Sequence, residues 1–81
     1  LTTFPNPAVS NHLNLRFEST EHNNLIVRVY DFTGRLISQQ EELVGIGEQI
    51  LEVDIAALPA GSYLLRLENG KKLSVAKFSV P

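Results

Sequence analysis

Leu58-Pro59-Ala60-Gly61-Ser62-Tyr63-Leu64-Leu65-Arg66-Leu67-Glu68-Asn69-Gly70 decides the fold. Its first four residues carry the Pro and Gly that punctuate a chain into a turn. From Ser62 to Glu68 the spacing changes to two, with Tyr63, Leu65 and Leu67 on one side and Leu64, Arg66 and Glu68 on the other, the signature of a half-buried strand. Asn69-Gly70 then reads as a hairpin turn, because both residues tolerate the positive φ that a type I′ turn demands. Turn, strand and hairpin follow one another within thirteen residues.

The strand after this turn is expected over Leu73 to Val80, and its register is open to two readings. A two-residue loop sets Glu68 opposite Lys71 and leaves Leu73 and Val75 off the buried side. A three-residue loop with Gly70 left-handed pairs Leu67 with Leu73 and Leu65 with Val75, which buries more and is preferred. It requires a bulge near Ala76 or Lys77 to bring Phe78 and Val80 inward.

Working outward, Leu13, Leu15 and Phe17 alternate with Asn14, Arg16 and Glu18, again with period two. Leu25 to Tyr30 is β-branched and aromatic, with Val27 and Val29 inward. Asp31-Phe32-Thr33-Gly34 has Asp first and Gly fourth, as a type I turn prefers, and leads into a strand over Arg35 to Gln40. Glu41 to Glu48, with Gly45 and Gly47, is expected to be a loop or irregular edge. Ile50, Leu51, Val53 and Ile55 make another strand, which breaks at Ala56 to Gly61. Six strands result, or seven if Thr2 to Phe4 or Ala8 to Ser10 pairs at an edge. Short strands joined by turns predict an all-β antiparallel sandwich, since a single open sheet would leave half of these apolar residues wet. Tyr63, just inside a strand after Leu58 and a turn, resembles the tyrosine corner of immunoglobulin-like folds, whose hydroxyl bonds back to the backbone upstream.

The 81 residues make one domain whose core is nearly the whole protein. With no cysteine, neither a disulfide nor a thiolate metal site or nucleophile is available. Seven Lys and Arg against nine Asp and Glu give a net charge of -2, which offers no general attraction to nucleic acid or anionic lipid. No apolar run approaches the roughly 20 residues that span a bilayer. The first residue is Leu and Met is absent throughout, so the chain is expected to be a piece of a longer protein.

Chemistry finds little purchase. His12 and His22 lack a third ligand at metal spacing, so no metal or cofactor is expected. Asp31 has a turn role, and Glu52 and Asp54 alternate on an outward strand face. No Ser occupies a nucleophile elbow, and Gly45-Ile46-Gly47 lacks the helix and Lys of a phosphate loop. Lys71, Lys72 and Lys77 suit the protection of a strand edge.

Phe4-Pro5-Asn6-Pro7-Ala8, Val29 to Ile37 (VYDFTGRLI) and Leu58 to Lys72 (LPAGSYLLRLENGKK), with Lys77-Phe78 near the end, together resemble the C-terminal sorting domain of the type IX secretion system of Bacteroidota, the Por secretion family. The resemblance covers essentially the whole chain. It matches Pro5, Asn6 and Pro7 to the family's opening motif, Gly34 to its hairpin glycine, Gly61 and Tyr63 to its Gly-x-Tyr, and Lys72 and Lys77 to its late lysines. Phe4 departs from the usual Tyr. The resemblance implies an immunoglobulin-like sandwich carried behind an N-terminal cargo. It also implies recognition by the outer-membrane translocation machinery, then removal by a sortase-like peptidase with the cargo anchored at the cell surface or released.

Residues 1–7 are expected to be a stiff lead-in, since Pro5 and Pro7 fix φ and remove two backbone donors. Asp31, Gly34, Leu58, Gly61, Tyr63, Asn69 and Gly70 are expected to be structural. Lys71, Lys72, Lys77 and Phe78 are the candidates for recognition, with the last strand edge open to β-augmentation or to weak self-association. Two rival functions remain. An accessory carbohydrate-binding module would stack sugars on Tyr30 and Phe32, and a structural spacer or adhesin domain would be followed by more chain.

Overall fold

The described residues form seven strands: β1 (Thr2–Val9), β2 (His12–Ser19), β3 (Asn23–Asp31), β4 (Leu36–Val44), β5 (Gly47–Asp54), β6 (Gly61–Asn69) and β7 (Lys72–Val80). The computed structural model describes the backbone of residues 2–9 and 12–81 and the side chains of residues 12–22 and 24–81. Every pairing is antiparallel. Strands β1-β2-β5 make one sheet and β4-β3-β6-β7 the other. The two are packed as an immunoglobulin-like sandwich.

Period-two alternation builds the core. Leu13, Leu15 and Phe17 of β2, with Val53 of β5 and Ile55 just beyond it, face Leu25, Val27 and Val29 of β3, Tyr63, Leu65 and Leu67 of β6, and Phe78 of β7. Each inward residue predicted on β2, β3 and β6 is buried. At the sandwich rim Ser19 is also buried. Its hydroxyl donates to the Glu21 carbonyl at 2.8 Å and accepts from Asn69 Nδ2 at 3.4 Å, which ties the two sheets together.

Three expectations need correction. Glu41 to Glu48 is not a loop, because β4 continues to Val44 in full register with β3 and β5 begins at Gly47, so only Gly45 and Ile46 lie between strands. This short link carries the chain from one sheet to the other. The edge pairing foreseen for Thr2 to Phe4 is present: they pair with Arg16, Leu15 and Asn14 in turn, and the pairing is interrupted between Phe4 and Val9, where Pro5 and Pro7 have no donors to give. Ser10, at the end of the second possible edge segment, lies outside the described residues.

The β6–β7 hairpin follows neither predicted register. Asn69 pairs with Lys72, Leu67 with Ser74, Leu65 with Ala76 and Tyr63 with Phe78, without a bulge. Gly70 and Lys71 form the turn, and Gly70 at φ 63° takes the first central position that the primed turns reserve for positive φ. Phe78 decides the register: stacked on Tyr63 with ring centroids 5.5 Å apart, it needs Ser74 and Ala76 on its own side. Leu73 and Val75 are thereby turned outward.

Finally, β7 ends its sheet but is not a bare edge, because β1 runs beside it where the sheets meet. The open edges on the other side are β4 and β5, whose one hydrogen-bonded neighbour each among the described residues is β3 and β2. A four-stranded sheet overhangs a three-stranded one there. Ser38, Gln40 and Glu42, which point to the inner side, are accordingly wet or only half-buried.

Candidate functional site

Two local devices fix the corners of the four-stranded sheet. At the first, Asp31 Oδ1 accepts from the N–H groups of Thr33 (2.9 Å) and Arg35 (3.1 Å) and from the Thr33 hydroxyl. Gly34 N–H donates to the Asp31 carbonyl at 3.0 Å, closing the predicted turn. The Thr33 hydroxyl above all, then the Arg35 and Thr33 N–H groups and the Arg35 guanidinium, hold the Asp31 carboxyl below its ordinary value of 3.8, against a smaller opposing effect of desolvation.

At the second corner, the Tyr63 hydroxyl donates to the Pro59 carbonyl. Leu58 N–H closes the preceding turn on Ile55 O at 3.0 Å, and the Leu58 side chain packs against the core. Gly61 has φ 154°, a backbone angle that residues with a Cβ rarely adopt. This is the geometry of a tyrosine corner.

Between these corners the outer face of the sheet holds a shallow groove of about 770 Å³. Tyr30 and Phe32 line one side, Leu64 and Arg66 the floor, and Leu73, Val75 and Lys77 the other side. Cross-strand register makes it: Tyr30 lies opposite Leu64 and Leu64 opposite Lys77, while Arg66 lies opposite Val75. Phe32 is 83% exposed and Leu73 and Val75 are each 53% exposed. Further along the same face, Arg28 and Arg66 both pair with Glu68, at 2.8 and 3.2 Å, a cluster of two cations on one carboxylate that bounds the groove.

The recognition candidates read from sequence are dispersed. Lys77 stands at the groove. Lys72 begins β7 five residues away, about 16 Å at strand rise, and Lys71 lies in the turn, so the three lysines do not make one patch. Phe78 is 3% exposed, and its place is in the core beneath Tyr63, not on a contact surface. The side chains of Pro5, Asn6 and Pro7 lie outside the described residues. Leu73 and Val75 were missed as surface residues. The signal was present: Leu73, Val75 and Lys77 share one parity, and Ser74, Ala76 and Phe78 the other.

Among the described residues no three His, Asp or Glu groups gather at a spacing that could hold a metal. His12 lies 2.8 Å from Glu52, and Asp54 caps the Ala56 N–H at 2.9 Å.

A family model described as "Secretion system C-terminal sorting domain" matches residues 2–81. No curated protein matches the sequence. Sandwich, tyrosine corner and a match over all but the first residue converge: the chain belongs to the secretion system C-terminal sorting domain family, the signals for type IX export across the outer membrane to the cell surface or medium.

Proposed function

We propose that this domain is a non-catalytic export signal, read as a folded object by the outer-membrane translocation components through the groove on the four-stranded sheet. The observation that carries the reading is the outward turn of Leu73 and Val75 beside Phe32, which places an apolar surface where a solvated sheet face is the rule. Lys77 at its rim supplies a cationic group for orientation. Recognition precedes processing: a sortase-like peptidase then cuts on the N-terminal side of the sandwich, and the cargo joined there is anchored at the surface or released. Residues 1–81 act as one unit in this scheme.

The test is export of a fluorescent reporter carrying an N-terminal signal peptide and this domain, in a host with type IX machinery. The intact fusion is expected at the surface or in the medium. A Leu73→Ser, Val75→Thr double variant, whose substituted side chains lie outside the core, is expected to fold and to remain in the periplasm. Equal export of the two would refute the groove as the recognition surface. A second reading has one specific observation behind it, the exposed Phe32 ring beside Tyr30, which suits stacking on a sugar. Binding of soluble glycans by the isolated domain, lost in Phe32→Ala, would favour it.

A further inference from the structure

Strand β4 lies at an open edge of the four-stranded sheet. Strand β4 reads Leu36-Ile37-Ser38-Gln39-Gln40-Glu41-Glu42-Leu43-Val44, apolar at both ends and polar between. It contains no Lys or Pro, and its edge protection is limited to the bulge at Ile37 and the inward-pointing Glu42. Leu43 is 87% exposed, the most exposed large apolar side chain among the described residues, and Leu36 and Ile37 are exposed at the other end.

We infer that two copies of the domain join β4 to β4, antiparallel, about a two-fold axis through Gln40. A two-fold axis perpendicular to the sheet keeps each residue on its own face, so only registers that pair residues of equal parity are available. Centring on Gln40 sets Gln39 against Glu41, Ser38 against Glu42 and Ile37, the extra residue of a bulge in β4, against Leu43, while Leu36 lies beyond the bulge. Apolar meets apolar, and every carboxylate meets a neutral group. Moving the axis one residue toward Glu41 sets that carboxylate against its own copy, a destabilising like-charge pair. Moving it to Gln39 sets Ile37 against Glu41 and strands the apolar ends.

Side-chain geometry within one copy supports the central register. Arg28 Nε donates to Gln39 Oε1 at 3.1 Å, and since Arg only donates, the Gln39 amide is oriented with its NH₂ group uncommitted. Asn24 Nδ2 donates to Glu41 Oε2 at 3.2 Å, which leaves Oε1 to accept. In the pair, Gln39 of each copy donates to Glu41 of the other. The two four-stranded sheets become one of eight strands, with both grooves on the same face.

The absence of cysteine makes the test clean. In the proposed pair residue 40 faces itself, with Cα atoms roughly 4.5 to 5.5 Å apart, inside the range a disulfide bridges. Residue 38 is displaced from its own copy by about 13 Å along the strands. Under mild oxidation Gln40→Cys is expected to form a covalent dimer about tenfold faster than Ser38→Cys or Glu42→Cys alone, the gain that pre-association gives. An equimolar mixture of the latter two should give the heterodimer. Sedimentation of the native 81-residue chain should shift from monomer toward dimer with concentration, and Gln39→Glu, which keeps its Arg28 partner but opposes Glu41 of the second copy, should reduce the shift. Equal cross-linking of the three single variants with no heterodimer, or sedimentation as a monomer at all concentrations, overturns the inference.

Discussion

At the residue scale, the domain depends on a few groups that are not replaceable by similar ones. Tyr63 is held from two sides, its ring on Phe78 and its hydroxyl on the Pro59 carbonyl. Tyr63→Phe keeps the stacking and forfeits one part-buried hydrogen bond, and should lower unfolding free energy by about 1 kcal/mol in a urea titration. Gly61→Ala meets no steric obstacle nearer than ordinary contact with Tyr63, yet it asks a residue with a Cβ to hold φ 154°, and should cost about 1 to 3 kcal/mol. Asp31 is a pH sensor of fold stability. Its folded pKa lies below its ordinary value of 3.8, so its contribution is complete above that value and is lost as the pH falls through the folded one. Asp31→Asn should therefore lower the urea midpoint at pH 7 and flatten its decline between neutral and acid pH.

At the element scale, alternation tells buried from exposed with little help from composition. Leu65 and Val75 sit on neighbouring strands, both apolar and β-compatible, but Leu65 faces the core and Val75 the groove. Leu65→Ala should cost about 2 to 5 kcal/mol, while Val75→Thr should stay within about 0.5 kcal/mol of the parent, both read from denaturant midpoints. The inward faces of β2, β3 and β6 were legible in the sequence because their polar and apolar positions alternate cleanly. The Asp31 turn and the Tyr63 corner were legible because Asp, Gly and Tyr have backbone-directed roles there. What the sequence hid has a common cause. On β7 both faces are apolar, so burial alone could not choose a register, and the choice fell to one ring pair, Tyr63 with Phe78, across the hairpin. On β4 both faces are largely polar, so no alternation announced that the strand continues to Val44. The candidate surface was hidden with the register, since Leu73 and Val75 were assigned to the core.

At the scale of the whole molecule, the domain measures 35 × 22 × 16 Å and commits nearly all its apolar alternation to one interior. Its flanks are unequal: β1 and β7 close one side, while β4 extends past its partner sheet on the other. The Asp31 turn and the Tyr63 corner both line the groove. The overhang has a kinetic consequence. In the monomer, strand β4 is held by one neighbour and covers no core except at Val44, so it can separate from β3 while the remaining six strands stay packed. Its amides should exchange with deuterated solvent well ahead of those in β2, β3 and β6, so that the domain opens from a single, predetermined side.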